Sequence, residues 1–166
     1  MTAKARHLKS LGKRRNTPFT YSPELLEAVP MAELPGPAPV PWVSLLCLRF
    51  TSLCPVTNQP DWAELDLNYL PDGLLVESKS LKEYLNSFRM HGGFHEDVCR
   101  TVVKDLAACI RPRYLEIAGR FDSRGSIAIW PYVQYAMPGD AEAKSLLAHR
   151  RREYAPGRWS PSSLPR

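Results

Sequence analysis

Residues 62–89, "WAELDLNYLPDGLLVESKSLKEYLNSFR", change their hydrophobic period halfway along, and this change decides the fold class. In "WAELDLNYLP" apolar and polar side chains alternate, which predicts a β-strand with one buried face. "PDG" predicts a turn, and "GLLVE" (73–77) follows it. In "SKSLKEYLNSFR" apolar residues recur at i, i+3, i+4 and i+7, which predicts an amphipathic helix with Ser78 as its N-cap.

The segments on either side extend this pattern. "WVSLLCLRFTSLC" (42–54) is apolar and β-prone, and it predicts a long strand that reaches Cys54. A second helix is predicted from His95 to about Ile110, where Pro112 ends it. "RYLEIAGRFDSRGSIAIWPYVQYA" (113–136) predicts two strands joined by a turn at residues 123–125. The resulting order is ββ-αα-ββ, which predicts an α+β fold with a four-stranded antiparallel sheet and two helices.

The length and composition predict one soluble folded domain. The chain has 166 residues, of which 44% are hydrophobic and 23% charged. It contains neither an apolar run long enough to span a bilayer nor a signal peptide, so we expect a cytoplasmic protein with reduced cysteines. We expect the domain proper at residues 42–148, after a basic and proline-rich extension at 1–41 and before an arginine-rich tail at 149–166.

The positive charge is concentrated at the two ends of the chain. Residues 1–15 carry six Lys or Arg and no acid, and residues 149–166 carry five Arg and one acid. Residues 16–148 hold eleven basic and sixteen acidic residues, although the whole chain is at +5. A folded surface that gripped nucleic acid would carry its own cations, so we expect no direct nucleic-acid partner and solvated ends.

A four-stranded sheet leaves two edge strands unpaired within one chain. Exposed edges are usually protected or paired with another chain. We therefore expect a closed homo-oligomer in which the sheets of several subunits join.

"CPVTNQPDW" (54–62) places a thiol and a carboxylate seven positions apart, each next to a proline. A carboxylate raises the pKa of a nearby thiol, so Asp61 suits proton delivery better than activation of Cys54. The spacing alone favours a buried cysteine followed by an aspartate in a turn. Further along the chain, Lys79, Lys82 and Arg89 form a cationic helix face, which is either solvated or suited to phosphate groups.

His95-Glu96 opens the second helix just after "GGF". A glutamate there commonly complements the helix dipole. One carboxylate also matches the two-donor edge of guanine. His91 and His95 are separated by two glycines, which argues against a helical HxxxH metal site, and the four cysteines form no CxxC pair.

Taken together, "CPVTNQPD", "VESKSLKEYLNSFR" and "GGFHED" resemble the NADPH-dependent 7-cyano-7-deazaguanine reductases, the nitrile reductases of queuosine tRNA modification. The family signature E-S/L-K-S-x-K-x-Y/F/W matches "ESKSLKEY" from Glu77 to Tyr84 throughout. The three motifs occur in the expected order across residues 42–137, and the length is that of the short, single-module form. The resemblance implies a tunnelling fold, related to that of GTP cyclohydrolase I, in which subunits form a barrel and bind ligands between them.

The resemblance also implies a chemistry and a set of site residues. Cys54 would add to the nitrile carbon to form a thioimide, Asp61 would protonate the nitrile nitrogen, and two NADPH would complete the reduction to 7-aminomethyl-7-deazaguanine without a metal. His95 and Glu96 match substrate-contacting positions, with Glu96 as the guanine clamp. The further matches are three substrate contacts, Val76, Glu77 and Ser78, and three candidates for NADPH phosphates, Lys79, Lys82 and Arg89.

Two alternatives from other classes stay open at this point. One is a zinc-dependent cyclohydrolase of the same fold with Cys54, His95 and Cys99 as ligands. The other is a non-catalytic purine- or RNA-binding module that uses the basic ends. A disulfide between Cys54 and Cys99 also stays open, because Cys99 follows His95 by one helical turn.

Overall fold

The structure is a computed structural model, and it describes residues 19–36 and 39–154. It contains six strands: β1 (Ala28–Pro30), β2 (Val43–Leu53), β3 (Pro60–Leu70), β4 (Leu74–Val76), β5 (Tyr114–Phe121) and β6 (Tyr132–Ala136). Its three α-helices are α1 (Ser78–Ser87), α2 (His95–Ile110) and α3 (Ala141–Glu153). Short 3-10 turns cover Pro23–Leu25 and Phe88–Met90.

The main sheet has four strands in the order β2-β3-β5-β6, and every neighbouring pair is antiparallel. The predicted ββ-αα-ββ order and the α+β class are therefore confirmed. The alternation read in "WAELDLNYLP" is present, because Ala63, Leu65, Leu67 and Tyr69 are buried. They pack with α1 and α2 in one core, in which Tyr84 and Phe88 are fully buried.

The second small sheet was not predicted. β1 pairs antiparallel with β4, with Ala28 opposite Val76. Tyr21, Leu25 and Leu26 pack against the core together with Ala28. We call residues 19–30 the N-terminal strap. Strand pairing and aromatic packing therefore join residues 19–30 of the predicted extension to the domain predicted from residue 42.

Hydrogen bonds hold the N-terminal strap along α1. The Tyr21 hydroxyl donates to Asp105 on α2 at 2.7 Å, and the Tyr84 hydroxyl donates to the same oxygen at 2.6 Å. Nearer β1, the backbone N–H of Glu27 donates to the Ser80 hydroxyl at 3.0 Å. The strap thus contacts both helices of the core layer.

α3 lies against the opposite face of the sheet and extends the domain at its other end. Arg113 pairs with Asp140 at 2.6 Å, and the Asp140 side chain also caps α3 by accepting from the backbone N–H of Ala143. Arg150 forms an ion pair with the buried Glu116 of β5. Residue 149, where the arginine-rich tail was predicted to begin, lies inside this helix. Within the two predicted ends, residues 1–18, 37–38 and 155–166 lie outside the described residues.

Two local predictions also need correction. The N-cap of α1 is Glu77 rather than Ser78, and its carboxylate accepts from the backbone N–H groups of Lys79 and Ser80. The turn between β5 and β6 is centred on Gly125-Ser126, one residue later than predicted. Both residues have positive φ, +56° and +70°, and Arg124 and Ile127 exchange two backbone hydrogen bonds around them. These features define a type I′ two-residue hairpin.

Candidate active site

The main-chain fold brings the end of β2 against the start of α2. The backbone N–H of Leu53 donates to His91 at 2.9 Å, and the N–H of Gly93 donates back to Leu53 at 3.0 Å. This short parallel bridge joins two segments that are about forty residues apart. It sets Cys54, which follows β2, next to His95, which begins α2.

Cys54 begins a tight loop, residues 54–59, that we call the nucleophile loop. The N–H of Cys54 donates to the carbonyl of Gln59, and the N–H of Asn58 donates to the carbonyl of Cys54, both at 2.9 Å. Asn58 has a φ of +56°, a left-handed conformation that asparagine tolerates better than most residues. These contacts fix the Cys54 backbone without a regular element.

Asp61 lies within β3, not in a loop, and its side chain is almost completely buried. Its Oδ2 is 3.2 Å from Nε2 of His95, and its Oδ1 accepts from Arg124 at 3.0 Å. The His95 ring stacks on Phe121 with the centroids 3.9 Å apart and the planes 5° from parallel. The strand, the stack and the guanidinium together leave the carboxyl group of Asp61 little freedom.

A pocket of about 370 Å³ lies at this corner. Its polar lining consists of Cys54, Asp61, His95, Glu96 and Arg124. Phe94, Ile127 and Ile129 supply exposed apolar walls. Two larger cavities, of about 500 and 610 Å³, lie elsewhere on the domain, but the residues that line them include no cysteine or histidine. The smaller pocket is therefore the candidate active site.

The environment of Cys54 favours its thiolate. Hydrogen bonds from the hydroxyl and the backbone N–H of Thr57, followed by one from the Arg124 guanidinium, lower the pKa of the Cys54 thiol to about 6. A thiol with this pKa is largely ionised at neutral pH, and the thiolate is the nucleophilic form. The pocket therefore presents an activated nucleophile beside a buried carboxyl group.

The other predicted site residues lie elsewhere on the chain. Val76, Glu77 and Ser78 form the junction of β4 and α1, and none of them lines the pocket of Cys54. The N–H of Val76 donates to the Tyr69 hydroxyl at 3.3 Å. Tyr69 is eight residues from Asp61 on β3, a spacing of roughly 26 Å along a strand. Within one chain these two groups of residues do not share a pocket.

The three predicted cationic residues also lie outside the pocket of Cys54. Lys79, Lys82 and Arg89 lie on α1 and the 3-10 turn after it, and they are likewise absent from the pocket of Cys54. Lys82 and Arg89 are exposed, and the Arg89 guanidinium lies over the Phe19 ring at 5.2 Å. Lys79 and Lys82 therefore belong with the Val76–Ser78 group, whereas Arg89 lies at the other end of α1, two residues before His91.

The ligand set of the zinc alternative is not brought together. Cys99 is fully buried, and a Cβ on Gly119 would lie 2.7 Å from its Sγ, so the thiol packs in the core. Burial raises the pKa of this thiol to about 12. Within residues 19–36 and 39–154, no group of three or more His, Cys, Asp or Glu side chains could hold a metal ion.

Sequence reasoning missed Arg124 and Thr57. Thr57 lies inside the quoted "CPVTNQPD", but nothing in that stretch shows that its hydroxyl faces the sulfur. Arg124 is 63 residues from Asp61, and it was read only as part of a turn. The one available signal was the Gly-containing hairpin itself, which indicates a rigid turn but does not show that Arg124 contacts Asp61.

The comparisons with known proteins point to one family. The family described as "QueF: QueF-like protein" matches residues 60–140. A Bdellovibrio bacteriovorus protein is 48% identical over 145 residues, covering 87% of this chain and 83% of that one. A Bacteroides fragilis protein is 45% identical over 150 residues, covering 90% and 97%. A Helicobacter pylori protein is 48% identical over 138 residues, covering 83% and 91%. Each is named NADPH-dependent 7-cyano-7-deazaguanine reductase.

A solved structure supports the fold. The crystal structure of the archaeosine synthase QueF-Like in its apo form aligns with a TM-score of 0.53 and 20% identity, over 56% of this chain and 91% of that one. At this identity the likeness concerns the fold alone, and it agrees with the tunnelling fold that the sequence implied. Among the described residues, no helix has the length and apolar character needed to cross a bilayer. The identities above extend over most of the chain and include the segment that carries Cys54, Asp61 and His95, so the chain belongs to the family of NADPH-dependent 7-cyano-7-deazaguanine reductases.

Proposed function

We propose that this chain reduces the nitrile of 7-cyano-7-deazaguanine to an aminomethyl group, with Cys54 as the nucleophile. The observation that carries the proposal is the low-pKa thiol of Cys54 in the same pocket as Asp61 and His95. The thiolate adds to the nitrile carbon, one C–N π bond breaks, and the nitrogen takes up a proton. The product of this step is a thioimide bound to the enzyme. When bound, NADPH supplies the hydride for this thioimide and a second hydride for the imine that follows.

Asp61 and His95 are proposed to manage the proton. Addition of a thiol to a nitrile consumes no external proton overall, because the proton lost by sulfur is gained by nitrogen. The carboxyl group of Asp61 and Nε2 of His95, 3.2 Å apart, form a pair that can hold this proton while the sulfur is ionised. Asp61 then delivers it to the nitrile nitrogen, which acquires negative charge as the C–S bond forms. After hydride transfer, expulsion of the Cys54 thiolate releases the imine.

Glu96 and the apolar walls are proposed to hold the base. Glu96 is exposed at the pocket, so its carboxylate is available to the ring N–H and the exocyclic amine of the deazaguanine. His95 lies deeper and contacts the ring near the nitrile. The flat heterocycle packs against Phe94, Ile127 and Ile129, whose exposed surface would otherwise face water.

Val76, Glu77 and Ser78 are proposed to reach the substrate from a neighbouring subunit. They cannot join the pocket of their own chain, since β3 separates them from Asp61 as described above. In a homo-oligomer, one subunit supplies Cys54 and Asp61, and its neighbour supplies the β4–α1 junction. Lys79, Lys82 and Arg89 then fit the phosphates of NADPH at the same interface, because phosphate groups favour a cluster of cations.

The proposed chemistry is tested by mixing the protein with 7-cyano-7-deazaguanine in the absence of NADPH. Addition expels nothing, so intact-protein mass spectrometry should show a gain equal to the whole nitrile, and peptide mapping should place it on Cys54. Cys54→Ala should form no adduct, whereas the control Cys109→Ala, outside the pocket, should form it normally. Asp61→Ala should slow the addition by roughly 100- to 10,000-fold. An adduct that persists in Cys54→Ala would refute the thioimide.

A further inference from the structure

The Arg124 guanidinium contacts three different parts of the active site at once. Nη1 donates to Oδ1 of Asp61 at 3.0 Å. Nη2 donates to the Thr57 hydroxyl and to the Gln59 side-chain carbonyl, both at 2.8 Å. Thr57 and Gln59 belong to the nucleophile loop, and Asp61 belongs to β3. One side chain therefore joins the loop that carries the nucleophile to the strand that carries the proton donor.

The backbone that presents Arg124 is itself stiff. Arg124 occupies the first position of the type I′ hairpin, where its N–H donates to the Ile127 carbonyl at 2.9 Å and its carbonyl accepts from the Ile127 N–H at 3.1 Å. Trp130, at the other end of the same connection, donates its indole N–H to the backbone carbonyl of Phe121. Two residues in this connection also wall the pocket, Ile127 and Ile129. The hairpin connection thus carries both Arg124 and part of the pocket wall.

We propose that Arg124 is a positioning residue for the nucleophile, because its guanidinium fixes the nucleophile loop against Asp61 so that sulfur and carboxyl group face the same C≡N bond. This inference rests on the role of Cys54 proposed above. The addition requires C–S bond formation at carbon and proton delivery at nitrogen, two atoms separated by one bond. Groups on a loop and on a strand keep that separation only if something joins them. A planar guanidinium with several donors suits this task, and a lysine ammonium does not.

Four charged or titratable side chains line the pocket together with Cys54 and come from the surrounding elements. Arg124 comes from the hairpin, Asp61 from β3, and His95 and Glu96 from the start of α2. Arg124 is the one cation of fixed charge that lines this pocket among the described residues. Its Nη2 also supports the Thr57 hydroxyl that hydrogen-bonds the thiol. Removal of Arg124 should therefore change both the loop geometry and the ionisation of Cys54.

The experiment is the pH dependence of Cys54 alkylation by iodoacetamide, followed by mapping of the Cys54 peptide. The wild-type midpoint should lie near the pKa of about 6. Arg124→Gln should move the midpoint upward and slow alkylation at pH 7 by roughly 3- to 10-fold. Arg124→Lys should recover only part of this loss, because an ammonium group cannot span the three acceptors. Arg100→Gln, on the exposed face of α2 beside Asp97, is the matched control and should behave as wild type.

The outcomes separate the two proposals. An unshifted pH profile of alkylation in folded Arg124→Gln, or an equal shift in Arg100→Gln, contradicts the positioning role of Arg124. If Arg124→Gln does not fold, Arg124→Lys decides in its place, and a wild-type profile there also overturns it. Wild-type protein that forms no nitrile adduct would refute the proposed function, yet its alkylation profile would still report on Arg124. Full adduct formation in Arg124→Gln with a shifted profile would show that the residue sets ionisation without setting geometry, which contradicts the positioning role.

Discussion

Gly119→Ala tests the packing between the core and the catalytic corner. A Cβ added to Gly119 would lie 2.7 Å from the Cys99 sulfur and 3.1 Å from an edge carbon of Phe121. Cys99 and Phe121 are 0% and 1% exposed, so neither can move out into solvent. Overpacking of this kind costs about 1–3 kcal/mol, and we expect the free energy of unfolding to fall by that amount. Because Phe121 stacks on His95, a shift of its ring should also disturb the active site.

A double-mutant cycle makes this prediction specific. Cys99→Ala removes the sulfur that the new methyl group would strike, so the double variant should be more stable than the sum of the single changes predicts, by about 1 kcal/mol or more. Urea denaturation followed by tryptophan fluorescence measures each free energy. Gly92→Ala is the matched control, since its Cβ would be at an ordinary 3.5 Å from Pro55. Additive effects of the two changes, or a wild-type midpoint for Gly119→Ala, would show that the contact does not limit packing.

Three further outcomes follow from contacts described above. Glu96→Gln should weaken binding of 7-cyano-7-deazaguanine by roughly 1.5–3 kcal/mol, and equal affinities by calorimetry would remove Glu96 from the clamp role. Tyr84→Phe should lower the free energy of unfolding by a similar roughly 1.5–3 kcal/mol, because Asp105 loses one of two hydroxyl donors; an unchanged denaturation midpoint would contradict this. The rate of adduct formation should fall as the pH drops from neutral through about 6, since the Cys54 pKa is lowered and protonation removes the nucleophile. The rate is measured by mass spectrometry of quenched samples. A rate that rises only as the pH approaches about 9 would show that Cys54 is an ordinary thiol.

The four strands of the sheet and the two core helices were predictable because their side chains repeat with the periods of buried elements. The N-terminal strap was not predictable, because its proline-containing sequence lacks the hydrophobic periodicity of a strand or helix. Its pairing with β4 also depends on a partner more than forty residues away. α3 was missed for a different reason. Ala143 is its one buried residue among those described, and ion pairs such as Arg150 with Glu116 hold it in place, so it lacks an apolar stripe.

The active site was also predictable only in part. Cys54, Asp61, His95 and Glu96 were chosen through the family resemblance, and the structure places them around one pocket. Spacing alone could not have chosen them, since the same residues fit a turn and a helix start. The thiol's activation was beyond sequence reasoning, because it depends on a hydrogen bond relayed from Arg124 through Thr57. Such a contact is fixed by tertiary structure and leaves no periodic trace.

The N-terminal strap has a consequence for the order of events during synthesis. Tyr21 leaves the ribosome early, but its hydrogen-bond partner Asp105 is 84 residues further along the chain. At roughly 5–20 residues per second, translation separates the two by roughly 4–17 s. During that interval the aromatic side chain has no native docking site on α2. The strap therefore docks on α2 only after residue 105 has been made, and a bulky fusion placed just before the strap would disturb this contact rather than the pairing of the strands in the main sheet.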